Sequence, residues 1–472
     1  MTGEEEVKLR AELLRVKAAL RAEIERLKDE NERLRGELKR QAEQLAIVME
    51  RIAELEGGGR KPPSFVKANR PKQQGPKRER KKRAAKHNRS RKRGEPTRKE
   101  RHALERCPEC EYRLRGASIS YTREVVELPA PQPVEVIEHQ VIKRWCPSCE
   151  RWRSPRLDLR GQVLGQGRIG VRIVSLVVYL RTTMRLPIRA IQEYLETLHG
   201  LRLSVGEIQE LTHGARRQLE PETAALKGAV QRSRVVHGDE TGWREGGQNG
   251  YVWAFATSGP EAVRYFERNR SRGHAVPKQI LGPRFRGWLV SDFYSAYNLI
   301  PGRHQRCWVH LLRDLHALKE QHEKDAAVVG WATAVRQVYD DAQGWLGKHP
   351  QATAREHEAA YSEAFTRACA LGQQYARTDH PCRTLAKRLL RHQDELFQFL
   401  LVPGLPADNN LVERSLRPLV VIRKISGGSR SEAGSITRLN LASLLQTWAA
   451  RDLNPFHQCL TALQRPTAHA PP

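Results

Sequence analysis

Three acidic residues lie where a carboxylate could do chemistry. Asp239 closes an apolar stretch that begins at Val235, and Asp292 closes another that begins at Trp288. β-Branched and aromatic residues favour strands, so each acid is expected at the end of a buried strand. Glu413 lies in a segment whose apolar spacing predicts a helix. A carboxylate is costly to bury unless it has a partner, and a metal ion is one such partner.

Together these three acids could hold a pair of divalent cations. Two cations about 3.5–4 Å apart can stabilise both the attacking and the leaving oxygen of a phosphodiester. Mg²⁺ prefers such oxygen ligands. Side chains alternate along a strand, so His237 is expected on the face of Asp239, and Glu240 on the opposite face, where it is not a primary ligand. A long chain contains many acids, so an accidental grouping stays open.

The Glu413 segment carries further candidate residues. Asp408 is expected to be the N-cap of the helix. Pro418 is expected to kink the helix or to begin a new one just past the acid. Arg414 and Arg417 lie close to Glu413 in sequence, so they face either a phosphate or solvent.

Four of the cysteines form two Cys-x-x-Cys pairs, and each pair has Pro after its first Cys. Cys107, Cys110, Cys146 and Cys149 suit a tetrahedral zinc site, which is structural because no coordination position stays open. The insert between the pairs contains Arg123–Leu128 and Val134–Arg144, which alternate like strands. The alternative is four buried free thiols. The chain start has no secretory segment, so these cysteines are expected to be reduced.

The N-terminal part predicts an oligomer and a flexible basic segment. Apolar residues recur at heptad spacing from roughly Leu9 to Leu55, which predicts a coiled coil, and Asn31 favours a parallel two-stranded register. A single helix packed on its own protein is the alternative. Arg60 to Arg101 holds 19 Lys or Arg and three acids, or 19 − 3 = +16. Such a composition predicts a disordered linker that can lie along phosphates.

The whole chain carries a net charge of +28 over 472 residues, which points to a nucleic-acid partner. No apolar run reaches about 18 residues, so a membrane span is not expected. We therefore expect a cytoplasmic protein associated with the nucleoid.

Patterning in the remaining chain predicts a mixed sheet followed by helices. The apolar run Val171–Leu180 is expected to be helical. Ile188–Leu198 and a helix starting with the capping box Ser204–Glu207 resemble a helix-turn-helix, although an ordinary helical hairpin stays open. The candidate strands are Val235–Glu240, Tyr251–Thr257, Ala262–Glu267, Gly287–Asp292 and His304–Trp308, with a helix at Ala275–Leu281. Three strands, a helix and another strand indicate a mixed sheet and not a doubly wound parallel one.

Four motifs give the chain a specific resemblance. At HGDETGW, SDFYSAY, QRCWVHLLRDL and DNNLVERSLRP it resembles the insertion sequence 66 family of bacterial DDE transposases. The resemblance implies a ribonuclease H-like core interrupted by helices, with Asp239, Asp292 and Glu413 as the catalytic triad. Further matches fall on Cys307 and His310 of a CW-x-H motif, and on Asn410 and Arg414, which flank the third acid. A buried cysteine and a helix-start histidine are the alternative for Cys307 and His310.

The implied fold class is α/β and multidomain. A ribonuclease H-like mixed-sheet core with a helical insertion follows an N-terminal coiled coil, a zinc ribbon and a helical DNA-binding region. The expected segments are a coiled coil (1–57), a disordered basic linker (58–101), a Cys₄ zinc-binding domain (102–160), a helix-turn-helix-like region (161–230), the first part of the core (231–309), a helical insertion (310–402), the final part of the core with the Glu413 helix (403–460) and a tail (461–472).

The implied activity is two-metal phosphoryl transfer, with two Mg²⁺ or Mn²⁺ ions per active site and a structural Zn²⁺. Water cuts a strand at the end of a mobile element, and the freed 3′-hydroxyl attacks target DNA. The partners are DNA and a second copy of the chain, and participation of small accessory proteins stays open. Two other functions also stay open: a DNA-binding regulator without catalysis, and a transposase-derived nuclease that cleaves without joining.

Overall fold

The computed structural model describes residues 16–17, 19–34, 36–37 and 95–465. These residues belong to two compact units that divide after Val126. In the first unit, the described residues between 16 and 37 are helical and exposed. The predicted basic linker lies outside the described residues up to residue 94. Among the described residues, no helix has the length and apolarity that a membrane crossing requires.

The second unit contains a short two-stranded ribbon near its start. Strands β1 (Arg144–Cys146) and β2 (Arg151–Arg153) pair antiparallel. The prediction of strand-like segments before this ribbon is wrong: Arg123–Leu128 has no strand, and only Arg144 of Val134–Arg144 lies in one. Val126 is 94% exposed, so the described residues leave this apolar side chain almost uncovered.

Four helices precede the sheet. They are α1 (Val171–Thr182), α2 (Ile188–His199), α3 (Val205–Gln218) and α4 (Glu220–Arg232). The predicted capping box is confirmed, because Ser204 accepts from the Glu207 backbone N–H and the Glu207 side chain accepts from the Ser204 backbone N–H. Gly200 ends α2 with a φ of 64°, a conformation that glycine adopts without steric cost. The α2–turn–α3 arrangement is therefore present.

A five-stranded mixed sheet forms the centre of the second unit. The strands are β3 (Val235–Glu245), β4 (Gln248–Ala256), β5 (Arg264–Asn269), β6 (Trp288–Ser291) and β7 (Arg303–Arg306). Their order is β5-β4-β3-β6-β7, with β3, β4 and β5 antiparallel and with β6 and β7 parallel to β3. Helix α5 (Ala275–Leu281) has the predicted bounds. The expected mixed sheet is confirmed.

The last predicted strand was too long at its C-terminal end. β7 ends at Arg306, Cys307 is the N-cap of the next helix, and Trp308 is the first residue of that helix. Trp308 is fully buried and donates from Nε1 to the Leu396 carbonyl. Its apolar ring therefore belongs to the helical region that follows and not to the sheet.

That helical region has its own core. It consists of α6 (Trp308–Gln321), α7 (Ala326–Lys348), α8 (Ala354–Ala376), α9 (Arg383–Arg391), α10 (Gln393–Leu396) and α11 (Gln398–Leu401). Its buried side chains include Trp308, Trp331 and Phe397, and they form a cluster separate from the one beneath the sheet. The chain therefore leaves the sheet after β7, builds a second core and then returns.

The returning chain forms three further helices, and the first of them packs on one face of the sheet. They are α12 (Asn410–Ser426), α13 (Glu432–Ala450) and α14 (Pro455–Gln464). Helix α12 continues through Pro418, so of the two predicted effects of this proline, a kink or a new helix, the new helix is wrong. Val412, Leu416 and Leu419 are buried against Trp243 and other residues of β3 and β4, which fixes the helix on the sheet.

Candidate active site

The register of two parallel strands places the first two acids side by side. His237 of β3 pairs with Val290 of β6. Asp239 lies two residues after His237, and Asp292 lies two residues after Val290. Both acids therefore follow the paired part of β3 and β6 at the same edge of the sheet. Neighbouring strands are about 4.8 Å apart, and residues two apart share a face. The two carboxylates are therefore neighbours.

The third acid comes from the first turn of α12. Glu413 lies in that turn, and the buried Val412 beside it packs into the cluster between helix and sheet. Burial raises the pKa of Asp239 most, and the charge of Glu240 comes next. The charges of Asp292 and Glu413 are close enough to raise it further. Side chains from β3, the end of β6 and α12 therefore share one electrostatic environment, in which the pKa of Asp239 lies well above its ordinary value.

The two aspartates, Asp239 and Asp292, lack a basic partner among the described residues. Within residues 95–465, no Lys, Arg or His nitrogen lies within 4.0 Å of a carboxylate oxygen of Asp239 or Asp292. Glu413 Oε1 is buried and has no hydrogen-bond partner among the described residues. Burial lowers the pKa of His237 to about 4, so this side chain is neutral and supplies no positive charge. Uncompensated carboxylates of this kind suit divalent cations with oxygen ligands.

Glu240 is occupied by other partners. Its side chain is 2% exposed, and Arg272 Nη2 lies 2.7 Å from its Oε1. Tyr297 donates its hydroxyl to Glu240 Oε2 at 2.7 Å. Arg272 also lies over the ring of Tyr294, 4.0 Å from its centroid. Both carboxylate oxygens of Glu240 therefore have protein partners.

Asn409 joins the elements that carry the acids, and the sequence analysis did not single it out. It is fully buried and is the N-cap residue of α12, the place predicted for Asp408. Its Nδ2 donates to the Gly238 carbonyl at 2.8 Å, and its Oδ1 accepts from His237 Nδ1 at 3.1 Å. Asp408 instead accepts from the Asn410 backbone N–H at 2.9 Å. The N-terminus of α12 is therefore bonded directly to the strand that carries Asp239.

Arg306 has a similar role at the second acid and was also missed. It is fully buried. Its Nη1 donates to the Asp292 carbonyl at 2.9 Å, and its Nε donates to Glu395 at 2.7 Å. Its Nη2 donates to Asn298 Oδ1 at 2.7 Å. A buried guanidinium therefore holds the backbone at Asp292, and its charge is paired with a carboxylate of the helical insertion.

The remaining candidates divide into two groups. Cys307, His310 and Glu413 come together, with one ligand atom from each within 4.8 Å of the others. Asn410 is half-buried, and Arg414 and Arg417 are exposed on α12.

Each Cys-x-x-Cys pair lies on its own tight turn. Cys107 accepts at its carbonyl from the Glu111 N–H at 2.9 Å, and Glu111 has a φ of 57°. Backbone hydrogen bonds from Glu109 and then Cys110 lower the pKa of the Cys107 thiol, which favours the thiolate that binds metal.

In the second pair, a backbone hydrogen bond from Cys149 has the largest effect in lowering the pKa of Cys146. Cys110 and Cys149 are exposed, so the alternative of four buried thiols is wrong.

Comparisons with known proteins agree with this organisation. The profile described as "Transposase IS66 family" matches residues 166–436, and the profile of the "zinc-finger binding domain of transposase IS66" matches residues 105–150. The chain is 31% identical over 173 residues to uncharacterized protein y4jO of Sinorhizobium fredii, covering 36% of this chain and 50% of that protein. It is 27% identical over 242 residues to uncharacterized protein y4qI of the same organism, covering 46% of this chain and 43% of that protein. The matched region spans about half the length of each relative or less.

Proposed function

We propose, from the premise that the chain belongs to the IS66 family of transposases, that it cuts the DNA ends of a mobile element and joins them to target DNA. The observation that carries this proposal is the convergence of Asp239, Asp292 and Glu413. Burial and the charge of Glu240 raise the pKa of Asp239, and the charges of Asp292 and Glu413 raise it further. Within residues 95–465 neither aspartate has a basic partner within 4.0 Å.

The sheet supports a ribonuclease H-like core for this activity. Strands β3, β4 and β5 are antiparallel, and β6 and β7 run parallel to β3. Asp239 lies on β3, and Asp292 directly follows β6. The helical insertion with its own core lies between β7 and the helix of the third acid. This supports the interrupted core that the sequence resemblance implies.

Asp239, Asp292 and Glu413 are the residues that would hold two Mg²⁺ or Mn²⁺ ions. Such ions stabilise charge on a phosphodiester and lower the pKa of a water molecule. The chain's own contribution is positioning: Asn409 fixes α12 against β3, and Arg306 fixes the backbone at Asp292. Phosphoryl transfer depends chiefly on such positioning and on charge stabilisation.

The proposed reaction has two steps and no covalent protein intermediate. A water oxygen attacks a phosphorus at the element end, the bond from phosphorus to the 3′-oxygen breaks, and a 3′-hydroxyl and a 5′-phosphate result. The 3′-hydroxyl oxygen then attacks a target phosphorus and displaces the target 3′-oxygen, which takes up a proton. The number of phosphodiester bonds is unchanged in the second step, so joining needs no further energy source.

Residues outside the core would supply DNA binding and assembly. The segment Arg60 to Arg101 carries +16 and can contact phosphates without reading sequence. The match to the zinc-finger profile includes all four paired cysteines, and we propose that they bind one structural Zn²⁺. Leu20 and Leu27 are about half exposed on the N-terminal helix, which supports pairing with a second copy.

The experiment compares cleavage and joining on duplexes taken from the DNA that flanks the coding region. With Mg²⁺ the full chain is expected to cut uncut ends and to join pre-cut ends to a plasmid, whereas Asp292→Asn does neither. Glu261→Gln, which changes an acid that is 90% exposed, is the matched control and is expected to retain both activities. Cutting without joining of pre-cut ends would identify a nuclease. Binding without Mg²⁺-dependent cutting would identify a regulator.

A further inference from the structure

A second group of metal-binding side chains adjoins the proposed catalytic acids. The Sγ of Cys307, a ring nitrogen of His310 and a carboxylate oxygen of Glu413 all lie within 4.8 Å of one another. Cys307 is fully buried, and about a quarter of each of the other two side chains is exposed. Glu413 therefore belongs to two groups, one with the two aspartates and one with a thiol and an imidazole.

Two atoms of this second group lack partners. His310 Nδ1 and Glu413 Oε1 are buried and make no hydrogen bond among the described residues. His310 Nε2 lies 3.7 Å from Glu413 Oε1, which is longer than a hydrogen bond. Buried polar atoms in native proteins are nearly always paired with protein, water or an ion, so unpaired ones call for an explanation.

The local backbone holds the three side chains together independently of any ligand. Cys307 is the N-cap of α6, and His310 lies in the first turn of the same helix. The Asn409 N–H donates to Cys307 Sγ at 3.2 Å, and the Trp308 N–H donates to the Ala407 carbonyl at 2.9 Å. These bonds tie the N-terminus of α6 to the N-terminus of α12, where Glu413 lies.

The donor types select a class of metal. A thiolate, an imidazole and a carboxylate are the ligands that Zn²⁺ and similar transition metals prefer, whereas Mg²⁺ is bound by oxygen atoms. Three protein ligands leave one tetrahedral position for water. A thiolate and a carboxylate together carry two negative charges, which match one divalent cation. Binding releases the thiol proton of Cys307 to solvent.

We propose that Cys307, His310 and Glu413 bind one zinc-class transition-metal ion, through Oε1 of the glutamate. The other carboxylate oxygen stays available to the cations that Asp239 and Asp292 would hold, so the ion positions Glu413 for the proposed reaction. The metal site itself depends only on the three side chains. Its consequence for catalysis rests on the proposed function.

The test measures metal binding in the full chain, without any activity assay. Apoprotein is titrated with Co²⁺, whose thiolate absorption reports Cys ligation, and bound Zn²⁺ is then counted after competition with a chelator. Affinity at this site is expected to fall at least about tenfold in Cys307→Ser and in His310→Gln. At the metal concentration that just saturates the unaltered protein, each variant therefore retains one ion fewer per chain after chelator competition. Circular dichroism checks that each variant is folded.

Two controls separate this proposal from the others. Cys369→Ser changes a thiol that hydrogen-bonds Gln393, well outside the group, and is expected to leave the metal count unchanged. Asp239→Asn is expected to lose DNA cleavage and to keep the extra ion, so the two proposals can fail separately. If folded His310→Gln and Cys307→Ser bind as much Co²⁺ and Zn²⁺ as the unaltered protein, with equal affinity, the metal site is disproved.

Discussion

Asp239 is a residue at which stability and the proposed function conflict. Burial and the neighbouring acids raise its pKa, so its ionised form destabilises the fold when no cation is bound. Nearby basic groups do not relieve this conflict, because Arg272 is paired with Glu240 and His237 is neutral. An arrangement that is unfavourable for folding alone is expected where charge must be kept for a ligand.

Asp239→Asn is therefore expected to stabilise the metal-free protein while removing its activity. The amide keeps the side-chain oxygen that accepts from the Glu240 N–H but carries no charge. We expect the free energy of unfolding without divalent cations to rise by on the order of 1 kcal/mol. DNA cleavage is expected to fall by at least about 10²-fold. Urea unfolding without Mg²⁺ checks the first effect, and an unchanged or lower stability would argue against uncompensated charge at this site.

The low pKa of Glu395 predicts how the free energy of unfolding changes at acid pH. Burial alone raises its pKa, but hydrogen bonds from His392 and Arg306 outweigh that effect and lower the pKa to about 2. Because the folded pKa lies below the ordinary value, the contribution of Glu395 is complete above about pH 4.5 and is lost as the pH falls towards 2. The difference in unfolding free energy between the unaltered protein and Glu395→Gln is expected to shrink over this range. A difference that stays constant from pH 6 to pH 3 would contradict this.

At the scale of the helices and strands, the hydrogen bonds that connect α12 to β3 show which features a local sequence pattern does not predict. The strands, the Ala275–Leu281 helix and the Glu413 helix could be predicted because their signals are local, in apolar runs and periodic spacing. Asn409 and Arg306 could not, because their hydrogen-bond partners lie as far as 172 residues away in sequence. A buried polar residue has no local pattern that identifies it. The same limit explains Trp308, whose apolar side chain is as consistent with a strand as with the helix that it begins.

Asn409→Ala is expected to loosen the third acid from the first. It removes the bonds to Gly238 and His237 and leaves their polar groups buried without partners. We expect a loss of about 1–3 kcal/mol in stability, together with slower DNA cleavage. Asn249→Ala, at an exposed position of the β3–β4 hairpin, is the control. If Asn409→Ala lowers stability but cleaves at the normal rate under folding conditions, Asn409 supports the fold and does not position Glu413.

At the scale of the whole molecule, the proposed function requires several parts of the chain to act on one DNA substrate. Local patterning predicted the mixed sheet and the helices that follow it, and the resemblance of four motifs predicted the transposase family. Local patterning predicted the strands before the second Cys-x-x-Cys pair wrongly, because alternation without burial does not make a strand. The heptad stripe of the N-terminal helix is exposed at Leu20, Ile24, Leu27 and Leu34, so it has apolar surface that a second copy could cover.

Leu27→Lys is expected to convert an assembled protein into a monomer. A charged side chain at a seam position would be desolvated in a coiled coil, whereas it is solvated in a single chain. Sedimentation equilibrium of the full chain gives the molar mass directly. Asp29→Lys changes charge on the same helix outside the predicted seam and is expected to keep the assembly. Equal masses for Leu27→Lys and the unaltered protein would mean that this helix does not drive oligomerisation.

The most direct test of a shared cation site is the number of Mn²⁺ ions that the full chain binds, measured by electron paramagnetic resonance as free Mn²⁺ disappears. Mn²⁺ prefers oxygen ligands, so the thiol sites contribute little. We predict up to two bound ions per chain, with the count reduced separately by Asp239→Asn, Asp292→Asn and Glu413→Gln and unchanged by Glu261→Gln. If the three variants bind Mn²⁺ as the unaltered protein does, these carboxylates do not form one metal site.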